Sequence, residues 1–289
     1  MSWENIMYLP ESIDSAKVLI TVKTYPLPSN KYEELVCTAG VLEDGKWIRI
    51  YPIPFRSLSQ EKKFEKYQWI QLDLIRNKSD FRQESYKPKS DASSIQIIGK
   101  IGTDHEWAER KKYVLQEVYT SFDHLITLAK GTTKKSLATF QPREILDFIV
   151  EEDLRTWKQQ WIANYDQYNL FNIDKKQEGK LRKVLPKVPY KYSYQFLCEE
   201  GEKRSLMIED WEIGALYWHC LQQTDGDEKE ANVLVRKKYF EEFLSKKDLY
   251  LFVGTTKQFH NVGPNPFVII GVFYPPTHKD YGQGALFSK

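Results

Sequence analysis

The chain has 289 residues, 41% hydrophobic and 28% charged, with a formal net charge of +2. This is the composition of a soluble globular protein, and the length suits two domains better than one core. A charge this close to neutral excludes attraction of nucleic acid or anionic lipid by the whole surface and leaves anion binding to local patches.

Three distant cysteines, Cys37, Cys198 and Cys220, form no CxxC pair. They read as reduced thiols of a cytoplasmic protein and not as zinc ligands. The opening MSWENIMYLPESID lacks a basic-then-apolar signal pattern, and no apolar run reaches the ~18 residues of a membrane helix. The expectation is a cytoplasmic protein without membrane contact. An aromatic share of 14% fits either β-rich cores or stacking platforms.

In chain order, Lys17 to Tyr25 alternates as a strand, with Val18, Ile20 and Val22 on one face and Leu19, Thr21, Lys23 and Tyr25 on the other. Leu35 to Val41 is a second strand, with Gly40 a bulge or a point of close approach. Asp44-Gly45 turns the chain into a third, Trp47 to Tyr51, which Pro52 and Pro54 end. Gln68 to Ile75 is a fourth, with Ile70, Leu72 and Leu74 inward, and Asn77 to Ser94 reads as a long exposed connection. Ile95 to Ile101 is a fifth strand. Glu106 to Ala129 has helical spacing through Trp107, Val114, Leu115, Val118, Phe122, Leu125 and Leu128, with Gly131 at the C-cap. Five short strands and a helix predict a small β-barrel of OB or SH3 type, which Ile145 to Val150 would complete.

VCTAGVLEDGKWIRIYP resembles prokaryotic dual-OB-domain proteins, in which a Cys-Ala-Gly strand and a turn precede a Trp-Ile-Arg strand. The resemblance rests on Cys37, Ala39, Gly40, Gly45, Trp47, Ile48 and Arg49 and covers Lys17 to Arg56. It implies an OB-like module of a mobile-element or antiviral-defence setting and no catalytic residues. The C-terminal run from LPKVPYKYSYQFLC to FVIIGVFYPP is similar to uncharacterised prokaryotic proteins, with no activity to carry over.

Leu154, Trp157, Trp161, Tyr165 and Tyr168 follow helical spacing, and Lys175 to Lys191 is a basic connector. Beyond it, strands at Tyr192 to Cys198 and Arg204 to Ile208 lead to a helix capped by Asp210 with Ile213, Leu216, Tyr217 and Cys220 inward. A second helix, Glu228 to Leu244, turns Val233, Val235, Tyr239, Phe240 and Phe243 inward; strands Leu249 to Val253 and Phe267 to Tyr274 follow, then a polar tail. The fold class is α+β: an OB-like β-barrel with one helix over 1–150, a basic connector over 151–191, and an α+β domain over 192–289.

The candidate nucleic-acid-binding residues are Trp47, Arg49 and Tyr51, extended by Lys23, Tyr25 and Arg56, with Lys134, Lys135, Lys180, Arg182 and Lys183 of the two basic stretches. Rings would stack on bases and cations meet phosphates, which favours single-stranded DNA or RNA. The competing reading of the Trp47 face is a sheet surface covered by a helix or by the second domain.

Asp210, Glu212 and His219 are the only catalytic candidates, as Mg²⁺ ligands and a general base of a nuclease. An N-cap with an acid in the first turn is also ordinary helix chemistry, and residues two apart diverge on a helix. His105, His124, His260 and His278 are scattered, and no HExxH, GxSxG, P-loop or GxGxxG setting occurs. The expectation is a cofactor-free nucleic-acid-binding accessory of a prokaryotic defence or mobile-element system, with partner subunits. The alternatives are a protein-interaction or assembly subunit and a metal-dependent nuclease.

Overall fold

The computed structural model describes residues 9–25, 27–28, 34–55, 58–90, 94–158 and 185–277. Its first part is built from β1 (Ser12–Lys23), β2 (Leu27–Pro28), β3 (Glu34–Leu42), β4 (Trp47–Ile53), β5 (Gln68–Arg76), β6 (Ser85–Pro88) and β7 (Gln96–Lys100). Five of these close the OB-like barrel β1-β3-β4-β6-β5-β1, antiparallel except at β4–β6. The short β2 adds to β3, and β7 lies along β5. The closing strand is therefore Ser85–Pro88, inside the stretch expected to be an exposed connection, and Ile95 to Ile101 supplies an outrigger instead.

Alternation explains the barrel core. Val18, Ile20, Ile48, Ile50, Ile70, Leu72 and Leu74 point inward with Tyr86. Val22 does not continue the Val18–Ile20 face. The β1–β3 register shifts between Ile20 and Val22, and this bulge turns Val22 outward beside Leu19. Gly40 is a point of close approach: a Cβ there would lie 2.1 Å from the Leu19 carbonyl oxygen.

The second part runs α1 (Asp104–Val114), β8 (Val118–Tyr119), α2 (Phe122–Lys130), β9 (Leu137–Phe140), β10 (Glu144–Glu152), β11 (Tyr190–Leu197) and β12 (Lys203–Met207). It continues with α3 (Trp211–Gln223) and α4 (Glu228–Arg236), which passes through a π-helical turn, Lys237–Glu242, into α5 (Phe243–Lys246), and ends with β13 (Tyr250–Thr255) and β14 (Phe267–Phe273). The expected continuous helix over Glu106 to Ala129 is two helices around β8. Three left-handed residues, His105, Glu106 and Trp107, open the first, and Ser121 caps the second by accepting from the His124 N–H.

Ile145 to Val150 does not complete the first barrel. It lies in β10, which pairs with β11, while β9 just before it pairs with β13. With β11–β12, β13–β14 and a parallel bridge from Ile208 to Ile269, these strands follow the circuit first-second-third-fifth-fourth of the N-terminal barrel. The parallel contact again joins third to fifth, and α3 and α4 sit between third and fourth. The core of this half holds Phe122, Phe140, Phe148, Tyr194, Phe196, Tyr217 and Tyr239. Val233, expected inward, is exposed on α4, whose buried stripe is Ala231 and Val235.

A third core joins the halves. Leu19, Val22, Ala39, Val41 and Trp47 on the outside of the first barrel pack against Phe252, Ile270 and Phe273 of β13 and β14.

Candidate functional site

The outer face of β4 is where the two readings of the Trp47 stretch part. As the alternation requires, Ile48 and Ile50 enter the barrel and Trp47 and Arg49 leave it. The C-terminal sheet then covers them. Trp47 is 7% exposed and meets Phe252 edge-on, ring centroids 5.1 Å apart; Arg49 is 5% exposed. Neither presents an open surface for a stacked base. Tyr51, at the end of the strand, lines a cleft between the halves.

That cleft has a volume of about 450 Å³. One wall is the β1-β3-β4 face, with Thr24, Tyr25, Cys37, Ala39, Arg49 and Tyr51. The other is C-terminal, with Val188, Tyr190, Tyr192, Ile208, Ile213 and Val268. Tyr25 is held from both sides: its hydroxyl donates to the Pro186 carbonyl at 2.9 Å and accepts from the Trp218 indole N–H at 3.0 Å. Gly214 leaves room for the ring, since a Cβ there would come within 2.6 Å of it.

One end of the cleft is a buried polar network that sequence reasoning missed. Arg82 binds Asp80 through Nε at 2.9 Å and donates to the Thr255 carbonyl. Burial alone would raise the Asp80 carboxyl, but the hydrogen bonds and charge of Arg82 outweigh it and hold it at about 2. Glu84 accepts from the Ser136 N–H and hydroxyl, both at 2.8 Å. Arg49 donates to the Ser136 hydroxyl at 2.9 Å and, at longer range, to the Ser136 and Thr255 carbonyls. Its acceptors are thus neutral. Burial, with Arg82 close by, lowers the Arg49 guanidinium to about 10.

His260 anchors the adjoining loop. Its Nε2 lies 2.8 Å from the Ala129 carbonyl, which only accepts, so Nε2 carries the hydrogen and Nδ1 accepts from the Thr255 hydroxyl at 2.7 Å. Burial lowers the affinity of the ring for a proton, consistent with a neutral pin.

Asp210 is the N-cap expected, accepting from the Glu212 N–H. Asp210 and Glu212 also meet on one partner. Lys66, from the barrel, lies 2.7 Å from Asp210 Oδ2 and 3.0 Å from Glu212 Oε2. Burial pushes the Asp210 carboxyl up to about 6 against the pull of Lys66. A lysine therefore occupies the place a metal would take in the nuclease reading. Among the described residues no group of three or more His, Cys, Asp or Glu is placed to hold a metal. His219 is exposed on α3 and, among the described residues, forms no hydrogen bond or ion pair with Asp210 or Glu212.

The remaining candidates scatter. Lys23 donates to the Phe64 carbonyl at 3.1 Å and lies 4.6 Å from the centre of the Phe55 ring, apart from the cleft lining. Lys135 pairs with Glu117 at 2.8 Å and Lys134 donates to the Lys130 carbonyl, so the first basic stretch does not reach the cleft. From the second, Lys187 and Lys191 do line it, paired with Asp153 at 2.6 and 3.5 Å. Arg56, Lys180, Arg182 and Lys183 lie outside the described residues, as do His278, most of the helix expected from Leu154 and nearly all of the tail.

Glu209, the residue before the cap, is the second omission of the sequence reading. It lines the cleft, its carboxyl is raised by burial, and among the described residues it makes no side-chain hydrogen bond or ion pair. Its signal was the acid beside an N-cap aspartate, which reads as helix chemistry. No described helix is long and apolar enough to cross a membrane.

No curated protein matches the chain. Among solved structures it is similar to a murine DNA-binding protein bound with double-stranded DNA, at 8% identity over 92% of this chain and 98% of that one. The TM-score is 0.30, a likeness too faint to bear on fold or ligand. Residues 14–116, the barrel and α1, match a family described as a domain of unknown function, DUF8758. Residues 101–289 match a second, also described as a domain of unknown function; this match takes in well over half of the chain, which therefore belongs to the DUF8757 family.

Proposed function

We propose that the protein binds single-stranded nucleic acid in the cleft between its two halves. The observation that carries this reading is the position of the cleft. It opens on the β3–β4 face of an OB-like barrel, the face such barrels use for oligonucleotides. Tyr25, Tyr51, Tyr190 and Trp157 supply π-faces, and Arg49, Arg82, Lys187 and Lys191 supply positive charge. The mechanism moves from the Trp47 ring, which is buried, to the tyrosines beside it.

A space of about 450 Å³ holds roughly one nucleotide unit and excludes a duplex, which is why a single strand is favoured. The cations already in the cleft are partly matched by Asp80 and Asp153, so the electrostatic share of affinity is small and the salt dependence shallow. Fluorescence anisotropy with labelled single- and double-stranded DNA and RNA tests the reading. Binding of single strands that weakens on Tyr51→Ala is the expected result; no binding of any of the four at low salt overturns it.

A further inference from the structure

Resting on that reading, we infer that the cleft is a selective site for one nucleotide, with Arg49 holding its phosphate and Glu209 reading the base, guanine being the one that fits. Arg49 is buried, lines the cleft, and forms no ion pair among the described residues. Of the nearest carboxylates, Asp80 is paired with Arg82, and Glu84 faces Arg49 only through the Ser136 hydroxyl, which accepts from Arg49 at 2.9 Å and donates to Glu84 at 2.8 Å. A guanidinium taken out of water against neutral oxygens is costly, and an anion arriving in the cleft relieves that cost.

Glu209 is the complement: a half-buried carboxylate with no hydrogen-bond donor among the described residues. Both groups line the same cleft, with Cys37. A ligand that satisfies both must carry an anion at one end and N–H donors at the other, with a planar body between apolar and aromatic walls. A nucleotide has that form.

Base choice follows from the carboxylate. Two oxygens in one plane accept two parallel N–H bonds, which guanine offers from N1 and its exocyclic amine. Adenine and cytosine present a donor beside an acceptor, and the acceptor would face a carboxylate oxygen. Uracil offers one donor between two carbonyl groups. Discrimination by a bidentate pair of this kind is about 1–3 kcal/mol, or roughly five- to 150-fold.

The test is calorimetric titration of the full chain with GMP, guanosine, AMP, CMP and UMP, together with Glu209→Gln and Arg49→Met. Glu209→Gln is isosteric and breaks no side-chain hydrogen bond or ion pair among the described residues, and melting curves check that both variants are folded. The expected result is GMP tightest, by at least about fivefold over the other nucleotides, and about tenfold over guanosine. Glu209→Gln removes the preference for guanine and keeps the dependence on phosphate, while Arg49→Met does the reverse. Equal affinity for the four nucleotides, no binding of any, or an unchanged preference in Glu209→Gln overturns the inference.

Short single strands with and without one guanine separate a free nucleotide from a unit within a strand. A guanine-dependent gain places the site on a strand. GMP binding without strand binding keeps the site and refutes the nucleic-acid reading, whereas strand binding indifferent to guanine does the opposite.

Discussion

Replacing Lys66 by Met removes one ammonium from a buried junction and leaves two carboxylates facing each other. In the protein Lys66 Nζ lies 2.8 and 2.7 Å from the two Asp210 oxygens and 3.0 Å from Glu212, and the Asp210 side chain is fully buried while Glu212 is 45% exposed. Removing one partner of a buried pair costs about 3–5 kcal/mol, because the remaining charge has neither water nor a counter-ion.

The cost depends on pH through Asp210, whose folded carboxyl titrates at about 6 against an ordinary 3.8. Burial is the main cause of that rise. A raised acid favours the folded state most when protonated, so its contribution is complete below the unfolded value and is lost as pH rises through the folded one. Without Lys66 the carboxyl holds its proton to still higher pH. Lys66→Met is therefore expected to lose about 3–5 kcal/mol at roughly pH 8 and only about 1–2 kcal/mol, the cost of an unmade hydrogen bond, at roughly pH 5. The double variant Lys66→Met/Asp210→Asn recovers most of the loss at the higher pH. Urea unfolding followed by tryptophan fluorescence measures both, with Trp211 next to the cap as reporter. An equal loss at the two pH values, or a double variant less stable than the single, refutes the account of a buried carboxylate compensated by Lys66.

Trp47→Ala removes a ring packed on Phe252 and is expected to cost about 3–5 kcal/mol in unfolding free energy; folded protein that keeps wild-type stability and loses nucleic-acid affinity contradicts the buried placement. Gly40→Ala sets a Cβ against the Leu19 carbonyl at 2.1 Å, and a melting temperature unchanged by it contradicts the close approach of β1 and β3. Gly214→Ala displaces the Tyr25 ring and is expected to weaken single-strand binding while costing less stability than Gly40→Ala, because a side chain yields more easily than a backbone; anisotropy beside a melting curve separates the two effects. The log–log salt plot of single-strand binding is expected to have a slope near −0.7 per phosphate contact, for about one to three contacts; a slope steeper than about −4 points to a larger basic surface.

The strands that alternate cleanly, β1, β3, β4 and β5, were legible because half of each faces a core and the pattern has period two. Ser85–Pro88 was not, although it closes the barrel: its inward residue is Tyr86, flanked by Ser85 and Lys87, and four residues carry too little alternation to tell a strand from a polar loop. The same limit hid the site. Arg49 was found because its strand was found, but whether its face was open depended on β13 and β14, some 200 residues away in the chain, which place Thr255 and Phe252 over it. A local pattern states which face a side chain occupies; only the distant strand decides whether that face meets water, a core or a cleft. Asp80, Arg82 and Glu84 show the converse, since a run of charges that reads as a solvated loop is instead the buried joint between the halves. Asp80 and Arg82 match each other in the wall of the cleft, where Arg49 and Glu209 form no ion pair among the described residues. These two charges, more than the aromatic stripe of β4, distinguish this interface from an ordinary packed joint between two halves of a chain.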